Sequence, residues 1–500
     1  MPALDLDDYR QRAARFLERI DREQYLHLAG HKPELELEPI YAAHAGLFER
    51  PTVEALREQA AQDGDSVDER RRLRYLLHFA VDGLLGRDTR AEAEELARRE
   101  SSLEVEAAGR RLPYRQVAVA LANEEDAGVR AELERAREDL VESELTPLHA
   151  QALERARRAL VELGWPSYTA AYSELRGLDL RALGRSARAF LDATDDVYAP
   201  AVDPRLEHAG LSPLGELRRS DLGRFFRAPG LDRGFPAERL VLTFAETMAG
   251  LGVDLKAQSN IHLDTESRPT KTPRPFCSTP RVPAEIYLVV SPVGGYDDFA
   301  ALFHEGGHTE HYAHVDPQLA FEFRRLGENA VTESFAFLLE HLTADAEWLR
   351  TRLGAEDPAP AVAQARASRL VAIRWYAAKI AYELELHAEG ADLERMPDRY
   401  AELIGDATRM RWSRAGFLAD VDEGFYVACY LRAWVLETHW RRSLRERFGE
   451  RWFESAEAGR WLRSVWSQGQ RRSAEELLRT ELGEELDLTA VAADLAVLPG

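Results

Sequence analysis

Cysteine is scarce in this chain of 500 residues, which contains only Cys277 and Cys429. Small secreted domains that depend on disulfides carry many cysteines at close spacings, so a disulfide framework is excluded. The two thiols also lie too far apart in sequence for the close CxxC pair that is typical of cysteine metal sites. We expect two buried thiols that do not form a disulfide.

Long apolar runs and basic clusters are also missing. No stretch approaches the roughly 18–20 apolar residues that a helix needs to cross a bilayer. The N-terminal segment lacks the basic start, apolar middle and small-residue cleavage site of a secretory signal. The chain has 65 lysines and arginines against 87 aspartates and glutamates, and opposite charges are interleaved throughout. We therefore predict a soluble, cytoplasmic protein that binds neither membranes nor nucleic acid.

Helix-forming patterns dominate what is present. Hydrophobic residues make up 45% of the chain, enough for a large buried core. The length of 500 residues allows two or three domains or one large two-lobed body. Between residues 131 and 164, apolar residues recur at steps of three and four, which predicts helix with one buried face. Similar patterns predict further helices over residues 67–97, 180–197, 361–385, 423–447 and 473–482.

Residues 254–285 interrupt this pattern, because they are rich in proline and lack helical periodicity. Long irregular segments in compact domains are uncommon and tend to be functional. The apolar, β-branched run that follows, 285–292, predicts a strand. A glycine turn then leads to a helix that we expect to begin near Phe299, with Asp297 or Asp298 as its N-cap.

That helix carries the sequence His304-Glu305-Gly306-Gly307-His308, which has the form HExxH. Residues four apart share one face of a helix, so both imidazoles can bind one Zn²⁺. Glu305 points to a neighbouring direction, where its carboxylate can deprotonate a water held by that metal. Each glycine destabilises a helix by about 1 kcal/mol relative to alanine, which suggests that something packs closely there, such as another backbone. The alternative is a polar helix face that is rich in histidine by chance.

A catalytic zinc site needs a third protein ligand, and two residues are candidates. His314 follows His304 by ten residues, as in HExxHxxGxxH enzymes. In those enzymes a glycine breaks the helix after the second histidine, and here His311 occupies its position, which argues against His314. The other candidate is Glu333, which lies on a second predicted amphipathic helix over residues 326–342. We expect His311 and His314 to contact the metal ligands without binding the metal, to face the substrate, or to be exposed.

The region from Arg268 to Glu333 resembles the thimet oligopeptidase and oligoendopeptidase F family of zinc peptidases. In that family the third ligand is a glutamate 29 residues after the first histidine, and Glu333 matches this position. The family's Asp-x-x-x-Arg-x-x-Lys pattern is matched by Asp264, Arg268 and Lys271. For Arg268 and Lys271 we favour a role in tying down the irregular segment over a substrate contact. Glu340 either orients a metal ligand or, as we favour, is solvent-facing or ion-paired.

Residues 424–434 are similar to the tyrosine segment of the family, with Tyr426 and Tyr430 at matching positions. The resemblance implies that one of these tyrosines stabilises the oxyanion, and the alternative for each is packing on a buried helix. Ala433 replaces a further tyrosine of the thimet branch, so the chain is nearer to the oligoendopeptidase F branch. Residues 418–424 lack the histidine that the family carries there, which keeps a non-catalytic, peptide-binding scaffold as an alternative.

The resemblance implies a mainly α-helical, two-lobed, neurolysin-like fold around a deep channel, with a small zincin-like β-sheet beside the zinc helix. We expect an N-terminal helical lobe over residues 1–200 and a catalytic region over 201–500. The implied activity is that of an oligopeptidase, acting as an endopeptidase on short peptides with one Zn²⁺ per chain. We expect the strand at 285–290 to pair with the extended substrate backbone. A zinc hydrolase with other substrates is a further alternative, and no oligomeric state is predicted.

Overall fold

The computed structural model describes residues 4–61 and 66–496. Helix accounts for 68% of the structure and strand for 5%, which confirms the mainly helical prediction. Within the described residues, no helix combines the length and apolar character needed to cross a membrane. The α-helices of this part of the chain are α1 (Leu6–Leu28), α2 (Glu38–Ala43), α3 (Arg50–Ala61), α4 (Val67–Asp88), α5 (Arg90–Ser102), α6 (Val117–Asn123), α7 (Ala127–Leu140), α8 (Thr146–Glu162), α9 (Tyr168–Arg176), α10 (Leu180–Ala193), α11 (Asp195–His208), α12 (Leu222–Arg227), α13 (Ala237–Gly250), α14 (Tyr296–Ala313), α15 (Phe321–Arg325), α16 (Asn329–Leu342), α17 (Ala346–Trp348), α18 (Ala359–Leu386), α19 (Met396–Thr408), α20 (Val427–Phe448), α21 (Ala456–Trp466), α22 (Ala474–Leu477) and α23 (Leu488–Ala496).

The apolar periodicity of the sequence predicted the positions of these helices more accurately than their ends. The helix predicted over residues 361–385 is α18, with nearly the same bounds. The stretch predicted over 131–164 forms α7 and α8, which are joined by a π-helical turn, Val141–Leu145. The helix predicted from residue 423 begins as α20 only at Val427, because the backbone before it turns at Gly424.

The strands of the described chain form two small sheets. A hairpin of β1 and β2 makes the first, and the second has the order β3-β5-β4, with β3 parallel and β4 antiparallel to β5. The predicted strand is present as β5, but β3 and β4 lie in the stretch predicted to be irregular, so that prediction is wrong for them. Both are short, and their hydrogen-bond partner β5 is not visible in their local pattern. The strands are β1 (Glu104–Ala107), β2 (Arg110–Pro113), β3 (Ile261–Asp264), β4 (Phe276–Arg281) and β5 (Glu285–Val289).

The position of β5 also corrects the expected mode of substrate binding. Because β5 is the central strand, its backbone groups are paired with β3 along one edge and with β4 along the other. A peptide can add only to a free sheet edge. The prediction that β5 pairs with a substrate is therefore wrong, and the two edge strands are β3 and β4.

Contacts between residues divide the chain into two compact units, each assembled from separate segments. Unit 1 comprises Met1–Leu84, Leu231–Ala359 and Arg432–Leu486. Unit 2 comprises Leu85–Gly230, Pro360–Leu431 and Asp487–Gly500. Residue 200 falls inside unit 2, and the division into an N-terminal lobe and a catalytic region stays a prediction.

Helix α14 is built into the core of unit 1. It packs against β4 and β5 of the sheet and against α13, α16 and α21. Its apolar side chains Phe299, Leu302 and Phe303 are fully buried. The ring of Phe303 meets Phe244 of α13 and Trp348 edge to face, with centroid distances of 5.3 and 5.0 Å. The helix that carries the histidine motif is thus held on several sides by rigid elements.

The start of α14 differs from the prediction. The helix begins at Tyr296, and its N-cap is Gly295, with a φ of 94° that favours glycine. The carboxylate of Asp298 lies within the first turn and accepts hydrogen bonds from the N–H groups of Val293 and Gly294, at 2.9 and 2.8 Å. An aspartate cap at residue 297 or 298 is therefore wrong, because Asp298 closes the preceding glycine turn instead.

Unit 2 contains a histidine whose burial disfavours the charged form of its ring. His387 is buried, and its ring stacks on Tyr168 with a centroid distance of 3.9 Å and an angle of 6° between the planes. Burial, reinforced by the charge of Arg157, lowers the pKa of His387 from 6.5 to about 3. The unfolded chain therefore binds a proton at this position at a pH where the folded chain does not.

We predict that the His387→Phe variant is less sensitive to acid than the wild type. Between pH 6.5 and about 3, the wild type should lose about 1.4 kcal/mol of unfolding free energy per pH unit through this residue. Phenylalanine retains the stack on Tyr168 without taking up a proton. Urea denaturation at pH 7, 6 and 5 measures the slope, with His208→Phe at an exposed position as the control. Equal slopes in the wild type and His387→Phe would contradict this assignment.

Candidate metal centre

Two glycines allow α14 to approach its neighbours closely. A Cβ atom on Gly307 would lie 2.5 Å from the Cα of Ala336 and 2.5 Å from the carbonyl oxygen of Phe335, both in the backbone of α16. A Cβ on Gly306 would lie 2.3 Å from the ring of Phe244. The close packing suggested by the glycine pair is therefore present, and the partner at Gly307 is another backbone. The contact at Gly307 brings the face of α14 that carries the histidines against α16.

The predicted ligands His304, His308 and Glu333 come together across this contact. One ligand atom from each residue lies within 4.8 Å of those of the other two. The Nε2 atoms of His304 and His308 lie 3.5 and 3.6 Å from Oε2 of Glu333. Their side chains are 20%, 14% and 7% exposed, so the group is largely removed from water while the histidines keep some access to it.

The distances fit a metal ion of the size of Zn²⁺. Ligand atoms at 2.0–2.1 Å around a tetrahedral zinc are about 3.3–3.4 Å apart, close to the two distances between histidine and glutamate. Two imidazoles and one carboxylate are a common donor set for catalytic zinc, which leaves a fourth position open. The three residues therefore suit such an ion in both chemistry and spacing.

Each histidine is oriented by a hydrogen bond at its other ring nitrogen. Nδ1 of His304 lies 2.8 Å from Oε2 of Glu340, and Nδ1 of His308 lies 2.8 Å from Oγ1 of Thr332. Such contacts fix the ring orientation and leave Nε2 for the metal. Glu340 thus has the orienting contact that was one of its two expected roles. Its side chain is also 38% exposed and paired with His304, which agrees with the favoured role as well. Thr332 was not predicted, because nothing in its local sequence marks it.

The electrostatics of the group favour a bound positive charge. Burial lowers the pKa of His304, but the carboxylates of Glu333 and Glu340 outweigh it and raise this pKa to about 10. Burial raises the pKa of Glu333, but His304 and His308 outweigh it and hold this pKa well below its ordinary value. A buried carboxylate between two imidazoles is stable only with a cation or a proton beside it.

The predicted general base Glu305 is held by the edge strand β4. Its Oε2 accepts a hydrogen bond of 2.9 Å from the backbone N–H of Cys277. The sequence could not indicate this contact, because it joins residues 28 positions apart through a backbone group. No disulfide joins Cys277 to Cys429, as predicted. Cys429 is buried, as expected, whereas Cys277 is only partly buried.

His311 and His314 do not belong to the ligand group. The helix continues through His311, which is completely buried, and ends at Ala313, with His314 as its C-cap. Burial, reinforced by His308, lowers the pKa of His311 to about 3. Nδ1 of His314 lies 2.9 Å from the carbonyl oxygen of Glu310. Exposure was one of the roles expected for these residues, and for His311 it is wrong.

Residues of the upstream pattern tie the segment before β4 to its surroundings. The Lys271 ammonium donates to the carboxylate of Asp264 at 3.0 Å and to the carbonyl oxygens of Asp264, Glu266 and Val290 at 2.8–2.9 Å. Arg268 donates to the carboxylate of Asp264 as well. These contacts agree with the structural role that the sequence favoured for Arg268 and Lys271.

The predicted tyrosines lie in unit 2. The rings of Tyr426 and Tyr430 are neighbours, with centroids 5.3 Å apart and planes at 73°. Tyr430 also meets Tyr376 of α18 edge to face at 5.3 Å. Both tyrosines therefore belong to an aromatic cluster within that unit, and their catalytic role stays a prediction.

We predict that Gly307→Ala separates α14 from α16. The new methyl group would collide with backbone atoms, which move less readily than side chains, so the unfolding free energy should fall by about 3 kcal/mol. The displacement should also weaken zinc binding, because Glu333 lies on α16. The control is Gly86→Ala in α4, where an added Cβ meets no atom within 4 Å and alanine should stabilise by about 1 kcal/mol. Wild-type stability and zinc affinity in Gly307→Ala would contradict the packing argument.

No family model matches the chain, and a search of curated proteins finds no match. The resemblance to the oligopeptidase family therefore rests on its motifs and spacings.

Proposed function

We propose that this protein is a zinc-dependent metallopeptidase that hydrolyses short peptides in the cytoplasm. The observation that carries the proposal is the convergence of His304, His308 and Glu333 from two tightly packed helices, with Glu305 beside them. A bound Zn²⁺ would supply a Lewis acid that polarises a carbonyl group and makes a water molecule more acidic. The chain's own residues would supply the remaining steps.

Glu305 would move the proton. Its carboxylate takes a proton from the attacking water and delivers it to the leaving amine, which is general base and then general acid catalysis. The N–H of Cys277 holds one carboxylate oxygen at 2.9 Å, which fixes the direction of the other. A carboxylate that is oriented before the substrate binds loses little freedom during the reaction.

The edge strand β4 offers a place for an extended substrate. Within an antiparallel pair, the N–H and C=O groups of one residue point to the same side of the strand. Because the Cys277 N–H bonds to Glu305, which lies off the sheet, the Cys277 carbonyl points away from β5 as well. We propose that this carbonyl accepts an N–H of the substrate next to the bond that is cut. Backbone pairing of this kind gives affinity with little dependence on side chains.

Two further parts of the proposal come from the family resemblance. Tyr430 or Tyr426 would donate a hydrogen bond to the oxyanion, a contact worth about 10²–10³ in turnover where it has been removed from other enzymes. A two-lobed, neurolysin-like fold around a deep channel would restrict the substrates to short peptides. The missing histidine in residues 418–424 makes a peptide-binding scaffold the competing function.

Metal analysis combined with peptide cleavage tests the proposal. The purified protein should hold about one zinc per chain and should cut quenched fluorescent peptides. Removal of the metal with a chelator should abolish cleavage, and stoichiometric zinc should restore it. Zinc and peptide binding without cleavage of a broad peptide library would favour the scaffold. Hydrolysis of esters or other amides, but not of peptides, would favour a different zinc hydrolase.

A further inference from the structure

The turn before α20 has an unusual backbone. Gly424 and Phe425 both have positive φ values, 63° and 57°. Glycine adopts this region freely, whereas a bulky aromatic residue such as Phe425 rarely does and must be held there by its surroundings. Phe425 is fully buried. The turn sets the direction in which the chain enters Tyr426 and then α20.

One face of α9 holds this turn. The hydroxyl oxygen of Tyr168 accepts a hydrogen bond from the N–H of Gly424 at 2.9 Å, and Nε of Arg176 donates to the Gly424 carbonyl at 2.5 Å. The ring of Tyr172 covers Gly424 so closely that a Cβ atom there would lie 2.5 Å from it. These three residues are four apart in sequence and share one helix face. Both backbone polar groups of Gly424 are therefore bound by α9.

A charged cluster holds the other end of the same turn. The Lys379 ammonium of α18 donates to the carboxylates of Asp420 and Asp422, at 3.2 and 3.0 Å. Oε1 of Glu383, one helical turn further along, accepts the N–H of Asp422 at 2.8 Å. Hydrogen bonds from α9 and α18 of unit 2 therefore hold the turn. They explain how it keeps a backbone conformation that Phe425 alone would not favour.

Arg176 joins the turn to the helix that follows it. Besides Gly424, its guanidinium reaches Sγ of Cys429 at 3.2 Å, in the first turn of α20. Its Cζ lies 6.0 Å from the centroid of the Tyr426 ring, within the range of a cation–π contact. One planar side chain therefore spans the backbone of the turn, the start of α20 and the first tyrosine. Lysine has the charge but not the fork of donors that this arrangement uses.

We propose that Arg176 is a positioning residue that fixes the direction of Tyr426 and Tyr430. This inference rests on the proposed function, in which these tyrosines serve the reaction. Arg176 acts through the turn and the ring of Tyr426, and it does not itself contact the substrate. Small displacements of a group that acts on the transition state can lower turnover by up to about 10²-fold.

The test compares Arg176→Lys and Arg176→Met with Arg185→Met, whose parent side chain on α10 is 73% exposed. Both Arg176 variants should lower kcat by about 10–10²-fold with KM and zinc content little changed. Arg185→Met should behave as the wild type. The milder Arg176→Lys variant keeps the test valid if Arg176→Met does not fold.

Fluorotyrosine placed at position 426 should show a shifted ¹⁹F resonance in Arg176→Lys and the wild-type resonance in Arg185→Met.

Combination with the tyrosine variants separates positioning from a general loss of stability. In a background that carries Tyr426→Phe and Tyr430→Phe, replacing Arg176 should lower kcat by no more than about 2–3-fold, because residues that act through one another are not additive. The same fold-loss in both backgrounds, or an unshifted ¹⁹F resonance, would overturn the proposal. If the wild type cleaves no peptide, the proposed function fails, and the resonance alone still decides whether Arg176 positions Tyr426.

Discussion

Replacing Glu305 with glutamine is expected to lower kcat for peptide cleavage by about 10²–10⁴-fold while zinc content stays at the wild-type level. Glutamine keeps the size of the side chain and an oxygen that can accept the N–H of Cys277. It cannot take up a proton from water at neutral pH. The ligands His304, His308 and Glu333 are untouched, so metal binding and turnover should separate in this variant.

The control for this variant is Glu457→Gln on α21, at an exposed position away from the ligand group. It makes the same chemical change and should retain full activity. Initial rates with quenched fluorescent peptides and zinc content by elemental analysis are measured on the same preparations. Cleavage by Glu305→Gln at the wild-type rate would show that Glu305 is not the general base, even if the protein is a zinc enzyme.

Local sequence rules explain which parts of the fold were predictable. Apolar residues at every third or fourth position predict the long helices. The predicted bounds of α18 lie within two residues of the observed ones at each end. β3 and β4 were not predicted, because a short strand gains its hydrogen bonds from a partner distant in sequence. For the same reason, the sequence did not show that β5 is a central strand and cannot pair with a substrate. The run 285–292 has the strongest strand pattern of the region because β5 is central and buried in the sheet.

The candidate site divides in the same way. His304, Glu305 and His308 lie on one helix, so their arrangement follows from helical periodicity alone. Glu333 needed the family spacing, because no rule of local structure relates two separate helices. The roles of Glu340 and Thr332 depend on how α16 is rotated against α14, and that rotation is fixed by the contact at Gly307. The glycine pair was the one signal in the sequence for this contact.

A graded loss of zinc affinity is expected across three variants. Glu333→Ala should weaken zinc binding by more than about 10²-fold, because it removes a direct ligand. Glu340→Ala should weaken it by about 10–100-fold, as is typical when the partner of a metal-binding histidine is lost. His314→Ala should leave it unchanged, since His314 lies outside the ligand group. Competition with a chromophoric chelator measures all three affinities without any need for peptide cleavage.

A cavity left by alanine at the buried position of Glu333 could itself disturb α16, so Glu333→Gln is the matched variant of equal size. Glutamine keeps the packing but removes the negative charge that His304 and His308 face at 3.5 and 3.6 Å. It should therefore bind zinc far more weakly than the wild type while unfolding at a similar temperature. A strong loss in His314→Ala with none in Glu333→Gln would instead support the ten-residue spacing. That result would require α14 to break after His308, where the structure has continuous helix.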